Sequence, residues 1–227
     1  MRDSARCPGK IEPMSNVPPP RFGVLVPVKP ACRAKSRLSP LGDRARRELV
    51  EAFAADTVTA ALDSPLVAAV MVVTDDHVLA STLAHLGAHV VPDGASDDLN
   101  ESLVLAAAEM RRRRPDLGLA ALCADLPALD VEELTMALRA ASSHPAAFVA
   151  DADGSGTTMV AADSVEHFTP RFGPGSRAAH AAEGAHEILE VDVPTLRRDV
   201  DTPADLREAL DLGVGSRTAR VAAGLRL

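Results

Sequence analysis

Residues 22–28 read Phe-Gly-Val-Leu-Val-Pro-Val, a continuous apolar run of the length typical of a strand that is buried on both faces. After this run, the chain alternates between further strand-like apolar runs and segments with helical periodicity. Alternation of this kind predicts an α/β fold with a mainly parallel central sheet covered by helices on both faces. In such sheets, ligands bind beyond the carboxyl ends of the strands.

The order of elements can be followed outward from this first strand. The pattern predicts helices over 43–62, 78–86, 99–114 and 131–141, and strands over 67–73, 89–91, 117–123 and 147–150. A further helix is expected to begin at Pro203, with Thr202 as its N-cap. Residues 1–20 are polar and rich in proline, so we expect a disordered leader followed by a single domain over 21–227.

The composition argues against several classes of protein. The net charge is -8 and only 2% of the residues are aromatic, so neither a basic face nor stacking platforms indicate a nucleic-acid partner. The three cysteines lack the CxxC spacing of zinc sites. No apolar run has transmembrane length and the N-terminus lacks the apolar stretch of a signal peptide, so we expect a cytoplasmic protein with no membrane partner.

Three aspartates give the strongest indication of chemistry. Asp199 and Asp201 flank a valine just before a proline, and they would project to the same side of a strand end if the backbone there is extended. Asp125 follows the apolar run 117–123, which places it at the predicted ligand-binding edge of the sheet. Three carboxylates suit one or two Mg²⁺ ions whose coordination is completed by phosphate oxygens and water. The alternative for Asp125 is a turn or helix-capping role.

A basic turn follows the first strand. It supplies four cations within residues 29–37, of which Lys29, Lys35 and Arg37 are the candidates for neutralising a triphosphate during transfer. The turn matches neither the Walker A pattern nor GxGxxG. A solvated basic loop is the alternative interpretation.

Two further segments carry polar side chains suited to a ligand. Asn100 lies near the start of the helix predicted over 99–114, where it could hydrogen-bond a base or ribose or act as an ordinary N-cap. Residues 153–158 form a predicted flexible turn that ends in Thr157 and Thr158, and its glycines would allow the backbone to approach an anion. The alternative for this segment is a plain surface turn.

A second glycine-rich turn is predicted over 171–176. Arg171 is a candidate clamp for a phosphate or carboxylate, and the backbone N–H groups of Gly173, Gly175 and Ser176 could form an anion nest. As with the previous turn, the alternative is a surface loop without a ligand. The absence of HExxH spacing among the seven histidines argues against zinc-dependent hydrolysis.

The ordered set of motifs resembles one known family. The segments VPVKP (26–30), AKSRLSP (34–40), ADLPAL (124–129), DGSGTT (153–158), RFGPGS (171–176) and DVDTPADL (199–206) are similar to the CofC/FbiD guanylyltransferases of coenzyme F(420) biosynthesis. The resemblance implies a three-layer, Rossmann-like nucleotidyltransferase of the nucleotide-diphospho-sugar transferase type. It also implies Mg²⁺ held by Asp125, Asp199 and Asp201.

The resemblance further implies GTP as donor and a phosphorylated three-carbon acid as acceptor, bound by Thr157 or Thr158 together with Gly173 and Ser176. The composition, rich in Ala and Arg, resembles the bacterial members and favours phosphoenolpyruvate, whereas 2-phospho-L-lactate and 3-phospho-D-glycerate stay open. Nucleotidyl transfer to molybdopterin or a sugar phosphate is a neighbouring alternative. A non-catalytic nucleotide-binding module that regulates a partner is the alternative from another class. Transfer of the product to the next pathway enzyme is a further expectation.

Overall fold

The computed structural model describes residues 21–29, 35–95 and 98–225. The predicted leader over residues 1–20 lies outside these described residues, as does the middle of the basic turn, residues 30–34. The strands are β1 (Phe22–Pro27), β2 (Val67–Val73), β3 (His89–Val91), β4 (Gly118–Leu122), β5 (Ala146–Ala150), β6 (Thr157–Ala162) and β7 (His186–Glu187). The helices are α1 (Asp43–Asp63), α2 (His77–His85), α3 (Leu99–Arg113), α4 (Val131–Ala141), α5 (Ser176–Ala182), α6 (Pro194–Arg197), α7 (Pro203–Leu212) and α8 (Ser216–Ala222), and a 3-10 helix spans Ser36–Leu41.

The strands form one seven-stranded sheet in the order β3-β2-β1-β4-β6-β5-β7. All neighbouring pairs are parallel except those of β6, which runs antiparallel to both β4 and β5. The mainly parallel sheet predicted from the sequence is therefore confirmed. Because β1 and β4 are parallel neighbours, the segments that follow their carboxyl ends emerge side by side, and these segments carry Lys35 and Asp125.

Helices cover both faces of the sheet, which gives three layers. On one face, α1, α2 and α4 pack against alternate strand residues such as Val24 and Val26. On the other face, α3 packs against Leu25 and its neighbours. In the described part of the chain, no helix has both the length and the apolar composition needed to cross a membrane.

A third apolar cluster brings distant segments of the chain together. Leu38 from the 3-10 helix and Val200 from the segment before α7 are both fully buried in it, together with Phe53 of α1. Arg37 directly precedes Leu38, Lys35 lies three residues before it, and Asp199 and Asp201 flank Val200. Burial of the two apolar side chains therefore places the cations beside the acids.

The predicted bounds agree closely with the structure as far as β5, since β2, β3 and α4 coincide and the other elements differ by one residue at one or both ends. The prediction of a strand end at Asp199–Asp201 is wrong. These residues lie in an irregular segment between α6 and α7, because Val200 makes one backbone bond to Asp125 (3.0 Å) rather than a ladder.

The two predicted glycine-rich turns are shorter than expected. Thr157 and Thr158 belong to β6, which pairs with β5 after the turn and is held in place on its other side by β4. Ser176 is the first residue of α5. The predicted N-cap of α7 is confirmed, because Thr202 accepts from the backbone N–H of Asp205 in a capping box.

Asp56 connects α1 to α8, and its removal is expected to destabilise the fold. Its buried carboxylate accepts hydrogen bonds from the backbone N–H groups of Arg217 (3.3 Å) and Thr218 (2.8 Å) in the first turn of α8. Asp56→Ala leaves these donors without their partner, so the free energy of unfolding should fall by about 2 kcal/mol in urea titrations. Asp63→Ala, at the exposed end of α1, is the matched control and should change stability little. Equal stability of the two variants would contradict this role.

Candidate active site

Three carboxylates from two separate segments meet at the carboxyl edge of the sheet. Single oxygen atoms of Asp125, Asp199 and Asp201 all lie within 4.8 Å of one another. Asp125 follows β4, and its carbonyl accepts the backbone N–H of the buried Val200, which holds the two flanking aspartates in register. The backbone N–H of Asp201 is in turn bonded to Asp205 of the α7 capping box (3.0 Å). The structure thus brings together the three residues predicted as metal ligands.

Two of the predicted cations contact this carboxylate cluster. The Lys35 ammonium group is bonded to both Asp125 and Asp201, and the Arg37 guanidinium is bonded to Asp201. Lys35 is largely buried, with 14% of its side chain exposed, whereas Arg37 is 67% exposed. Lys29 is an exposed residue that lines the adjacent cavity. Two of the three candidates therefore already neutralise acidic groups.

The charges in the cluster influence one another strongly. Burial, followed by the nearby charge of Asp125, raises the pKa of Asp199 to about 7. Burial opposes ionisation of Asp201 as well, but Lys35 and Arg37 outweigh it and lower its pKa. For Lys35 burial disfavours the ammonium form, yet Asp125 and Asp201 raise its pKa above the usual range. The cluster therefore favours additional positive charge.

The carboxylates also suit a divalent cation in their donor atoms. Among the described residues, Asp125 Oδ1 is a buried oxygen without a hydrogen-bond partner. Buried polar atoms are normally satisfied, so an unpaired carboxylate oxygen beside two further acids fits a metal ligand. Mg²⁺ prefers such oxygen ligands and retains sites for phosphate oxygens.

A cavity of about 320 Å³ opens beside the carboxylates. Its walls combine apolar and charged side chains, which include Val50, Phe53, Leu99 and Phe172 as well as Lys29, Lys35, Asp125 and Asp201. This size lies within the range of small-molecule sites. A cavity with apolar walls next to these carboxylates is suited to a nucleotide whose phosphates reach them.

Asn100 contacts the glycine-rich segment 171–176. Its side-chain N–H donates to the carbonyl of Phe172 (3.0 Å), and its side-chain oxygen accepts the backbone N–H of the same residue (2.8 Å). It is not the N-cap of α3, since Asp98 occupies that position and accepts from Asn100 and Glu101. Both ends of the Asn100 amide are therefore occupied by protein backbone.

His180 is a residue of this region that sequence reasoning missed. Its buried ring lies between Thr157 and the 171–176 segment, with Nδ1 3.0 Å from the Thr157 hydroxyl and Nε2 accepting the backbone N–H of Arg171 (2.9 Å). The ring also stacks on Phe148 and meets Phe172 edge-on. A lone histidine among apolar residues carries no sequence signal, because its partners lie on other elements of the fold.

The remaining candidates are distributed around the same segment. The Arg171 guanidinium, predicted as a clamp, is half-exposed and paired with Glu183 of the loop after α5. Thr158 is fully buried, and its hydroxyl has no hydrogen-bond partner in the described part of the chain. Gly173 and Ser176 are joined by a backbone bond (3.1 Å), and Ser176 is buried at the first position of α5.

The stability of the protein is expected to fall at acidic pH because of His180. Burial lowers the pKa of His180, so folding favours the neutral ring. In the unfolded chain the same ring titrates at about pH 6.5. The stabilisation is therefore fully present above the unfolded pKa and is lost as the pH falls toward the folded pKa. Urea unfolding of the wild type and His180→Gln from about pH 8 to about pH 5 tests this. The free-energy difference between them should shrink toward acid, and a growing difference would contradict the assignment.

The chain is similar to known proteins over most of its length. The family described as "Guanylyl transferase CofC like" matches residues 22–226. A phosphoenolpyruvate guanylyltransferase of Thermomonospora curvata is 52% identical over 202 residues, covering 89% of each chain. The corresponding protein of Streptomyces scabiei is 52% identical over 210 residues, covering 90% of this chain and 97% of the relative.

A solved structure supports the same fold at low sequence identity. The putative nucleotide-diphospho-sugar transferase of Desulfovibrio desulfuricans G20 superposes with a TM-score of 0.60 at 17% identity, covering 85% of this chain and 96% of its own. The architecture is thus the three-layer nucleotidyltransferase fold of the nucleotide-diphospho-sugar transferase type. At 17% identity, this similarity supports the fold and no assignment of function.

Proposed function

This chain belongs to the family of CofC-like guanylyl transferases, and we propose that it transfers GMP from GTP to phosphoenolpyruvate in coenzyme F(420) biosynthesis. A phosphate oxygen of phosphoenolpyruvate attacks the α-phosphorus of GTP, pyrophosphate leaves, and enolpyruvyl-diphospho-5′-guanosine is formed. The observation that carries the proposal is the meeting of Asp125, Asp199 and Asp201 with Lys35 beside a nucleotide-sized cavity. The choice of acceptor is supported by relatives that are named for this reaction and are 52% identical over 89% and 90% of this chain.

The reaction requires charge neutralisation more than proton transfer. The acceptor phosphate is already an anion, so no general base has to create the nucleophile. Both reactants are negatively charged, and Lys29, Lys35 and Arg37 are proposed to hold the phosphates in line. Asp125, Asp199 and Asp201 would hold Mg²⁺. That ion, when bound, neutralises the charge on the transferred and leaving phosphoryl groups.

The acceptor is proposed to bind on the side of the 171–176 segment. Thr157 or Thr158 would contact it from β6, and Gly173 and Ser176 would contact it from the segment itself. Arg171 would lie at the outer end of this pocket as a clamp for the acid.

A single nucleotidyltransferase domain over 21–227 is proposed on the basis of the family match to residues 22–226.

The proposed contact between Asn100 and a base or ribose is limited by the protein itself, because Phe172 occupies the side-chain oxygen and one N–H of the amide. One N–H of the amide is still able to donate, because the side-chain nitrogen carries two. A role in holding the 171–176 segment accounts for both observed bonds.

Pyrophosphate release from GTP is the direct test. With Mg²⁺ and phosphoenolpyruvate, we expect turnover that depends on both substrates, measured by an enzyme-coupled pyrophosphate assay that does not require a stable product. Parallel reactions with 2-phospho-L-lactate and 3-phospho-D-glycerate compare the acceptors by kcat/KM. These acids differ by small groups near one carbon, and such differences change kcat/KM by limited factors.

The outcomes of this assay separate the alternatives. Preference for another three-carbon acid would overturn phosphoenolpyruvate as the acceptor while keeping guanylyl transfer. GTP binding in calorimetry, without release of pyrophosphate from GTP in the presence of any of these acceptors, would favour the non-catalytic regulatory module. CTP in place of GTP is the donor control and should support little turnover.

A further inference from the structure

The segment 171–173 is fastened by two side chains from different helices. Asn100 of α3 bonds both the N–H and the carbonyl of Phe172, at 2.8 Å and 3.0 Å. His180 of α5 accepts the N–H of Arg171 at 2.9 Å. Three backbone polar groups of this segment are therefore satisfied by side chains rather than by a strand or helix. Asn100 belongs to α3 and His180 to α5, so side chains of two helices hold the segment.

The hydrogen bonds of His180 define its protonation. A backbone N–H can only donate, so Nε2 must be the unprotonated nitrogen of the ring. A neutral ring then carries its proton on Nδ1, which donates to the Thr157 hydroxyl at 3.0 Å. Because the Thr157 oxygen accepts this proton, its own O–H remains available to donate elsewhere. Burial, which lowers the pKa of His180, is consistent with the neutral ring.

The fastened segment joins the two halves of the site. Phe172 lines the cavity proposed for GTP, and the next residues, Gly173 to Ser176, are those proposed for the acceptor. Gly173 and Gly175 have φ angles of 133° and 72°, a region open chiefly to glycine. Glycine is the residue with the greatest backbone freedom to lose, so a segment of this kind needs fixed points at its ends.

We infer that Asn100 and His180 are positioning residues that hold the acceptor-binding segment at a set distance from the GTP cavity. The inference rests on the proposed function, because it assigns the segment after Phe172 to the acceptor. Neither side chain needs to touch a substrate. Asn100 acts through the backbone of Phe172, while His180 acts through Arg171 N–H and through the Thr157 hydroxyl.

Substitution of Asn100 by aspartate gives the sharpest test. The carboxylate can still accept from Phe172 N–H, but it cannot donate to the Phe172 carbonyl and repels it instead. An acidic residue in the first turn of α3 favours the helix, so the variant should fold. We expect the KM for phosphoenolpyruvate to rise roughly tenfold, the factor that corresponds to one buried hydrogen bond. The KM for GTP should change less than about threefold, because Phe172 is one of many residues that line the GTP cavity, whereas the proposed acceptor residues follow Phe172 directly.

Two substitutions of His180 test the second support. In His180→Gln the side-chain oxygen can reach the Nε2 position and accept from Arg171 N–H, whereas in His180→Asn the shorter amide reaches only Thr157. We expect His180→Asn to raise the KM for phosphoenolpyruvate roughly tenfold and His180→Gln to restore most of the loss. This rescue would not follow from a merely structural loss of packing.

A matched control separates positioning from general destabilisation. Thr135→Val removes the bond between Thr135 and the buried Ser64 (2.8 Å), which lies at the opposite edge of the sheet, just before β2. It should lower the melting temperature without changing the KM for phosphoenolpyruvate. Equal increases in both KM values for Asn100→Asp, or wild-type values for Asn100→Asp and His180→Asn, would overturn the inference. Absence of turnover in the wild type would instead overturn the proposed function.

Discussion

Replacement of Asp199 or Asp201 by asparagine is expected to lower kcat/KM for guanylyl transfer by roughly 10²-fold or more. Asparagine keeps the shape of the side chain but removes the charge that Mg²⁺ would require from the cluster. With the three carboxylate oxygens within 4.8 Å of one another, the loss of one of them leaves a site with fewer charged ligands. The loss should therefore be accompanied by a higher Mg²⁺ requirement in the pyrophosphate assay.

Stability measurements distinguish this loss from unfolding. Burial and Asp125 raise the pKa of Asp199 to about 7, so at higher pH the ionised form opposes folding in the absence of metal. Metal-free Asp199→Asn should consequently be at least as stable as the wild type at about pH 8, where the wild-type group is mainly charged. Asp192→Asn, an exposed carboxylate before α6, is the control for both assays. Near wild-type turnover in both the Asp199 and Asp201 variants would refute the metal assignment.

Removal of the Lys35 charge is the second change with a large expected effect. Lys35→Met retains a long side chain but takes away the ammonium group that contacts Asp125 and Asp201. We expect the Lys35 ammonium to contact the phosphates once GTP and metal are bound. Turnover of the variant should therefore fall by roughly 10²-fold, as for the loss of a charged donor at a developing anion. Initial-rate kinetics at saturating Mg²⁺ would measure it.

The same variant should have the opposite effect on metal binding. In the free protein, the Lys35 ammonium occupies the space among carboxylates that a divalent cation would share, so removing it should strengthen Mn²⁺ binding in the absence of nucleotide. Electron paramagnetic resonance titrations would show this. Arg44→Met, which removes an exposed cation of α1, is the matched control and should change neither quantity. Unchanged turnover in Lys35→Met would show that Lys35 is only a counter-ion for the acids.

The strands and helices up to β5 could be predicted from local sequence. Runs such as residues 22–28 and 67–73 are too apolar for an exposed position, and the segment between them that forms α1 has apolar residues at helical spacing. The later part of the chain was harder to interpret because its elements are short. β7 has two residues and α6 has four, and neither is long enough to show a period.

Part of the candidate site could also be predicted from local sequence. Asp199 and Asp201 flank a valine, and burial of Val200 turns both carboxylates to one side even though no strand forms there. The contacts of Asn100 and His180 could not be anticipated in this way. Asn100 lies 72 residues from Phe172, and nothing local in either segment indicates that they meet.

The sequence by itself determined the alternation of strands and helices, the acidic and basic residue types at the carboxyl edge and the resemblance to the guanylyltransferase family. These depend on apolar periodicity and on short motifs, which are local properties of the chain. Only the tertiary structure decided that Lys35 contacts Asp125 and Asp201, that the Asn100 amide is occupied by Phe172 and that His180 accepts the backbone N–H of Arg171. Such contacts join residues that packing of the whole core brings together, and so no local pattern encodes them.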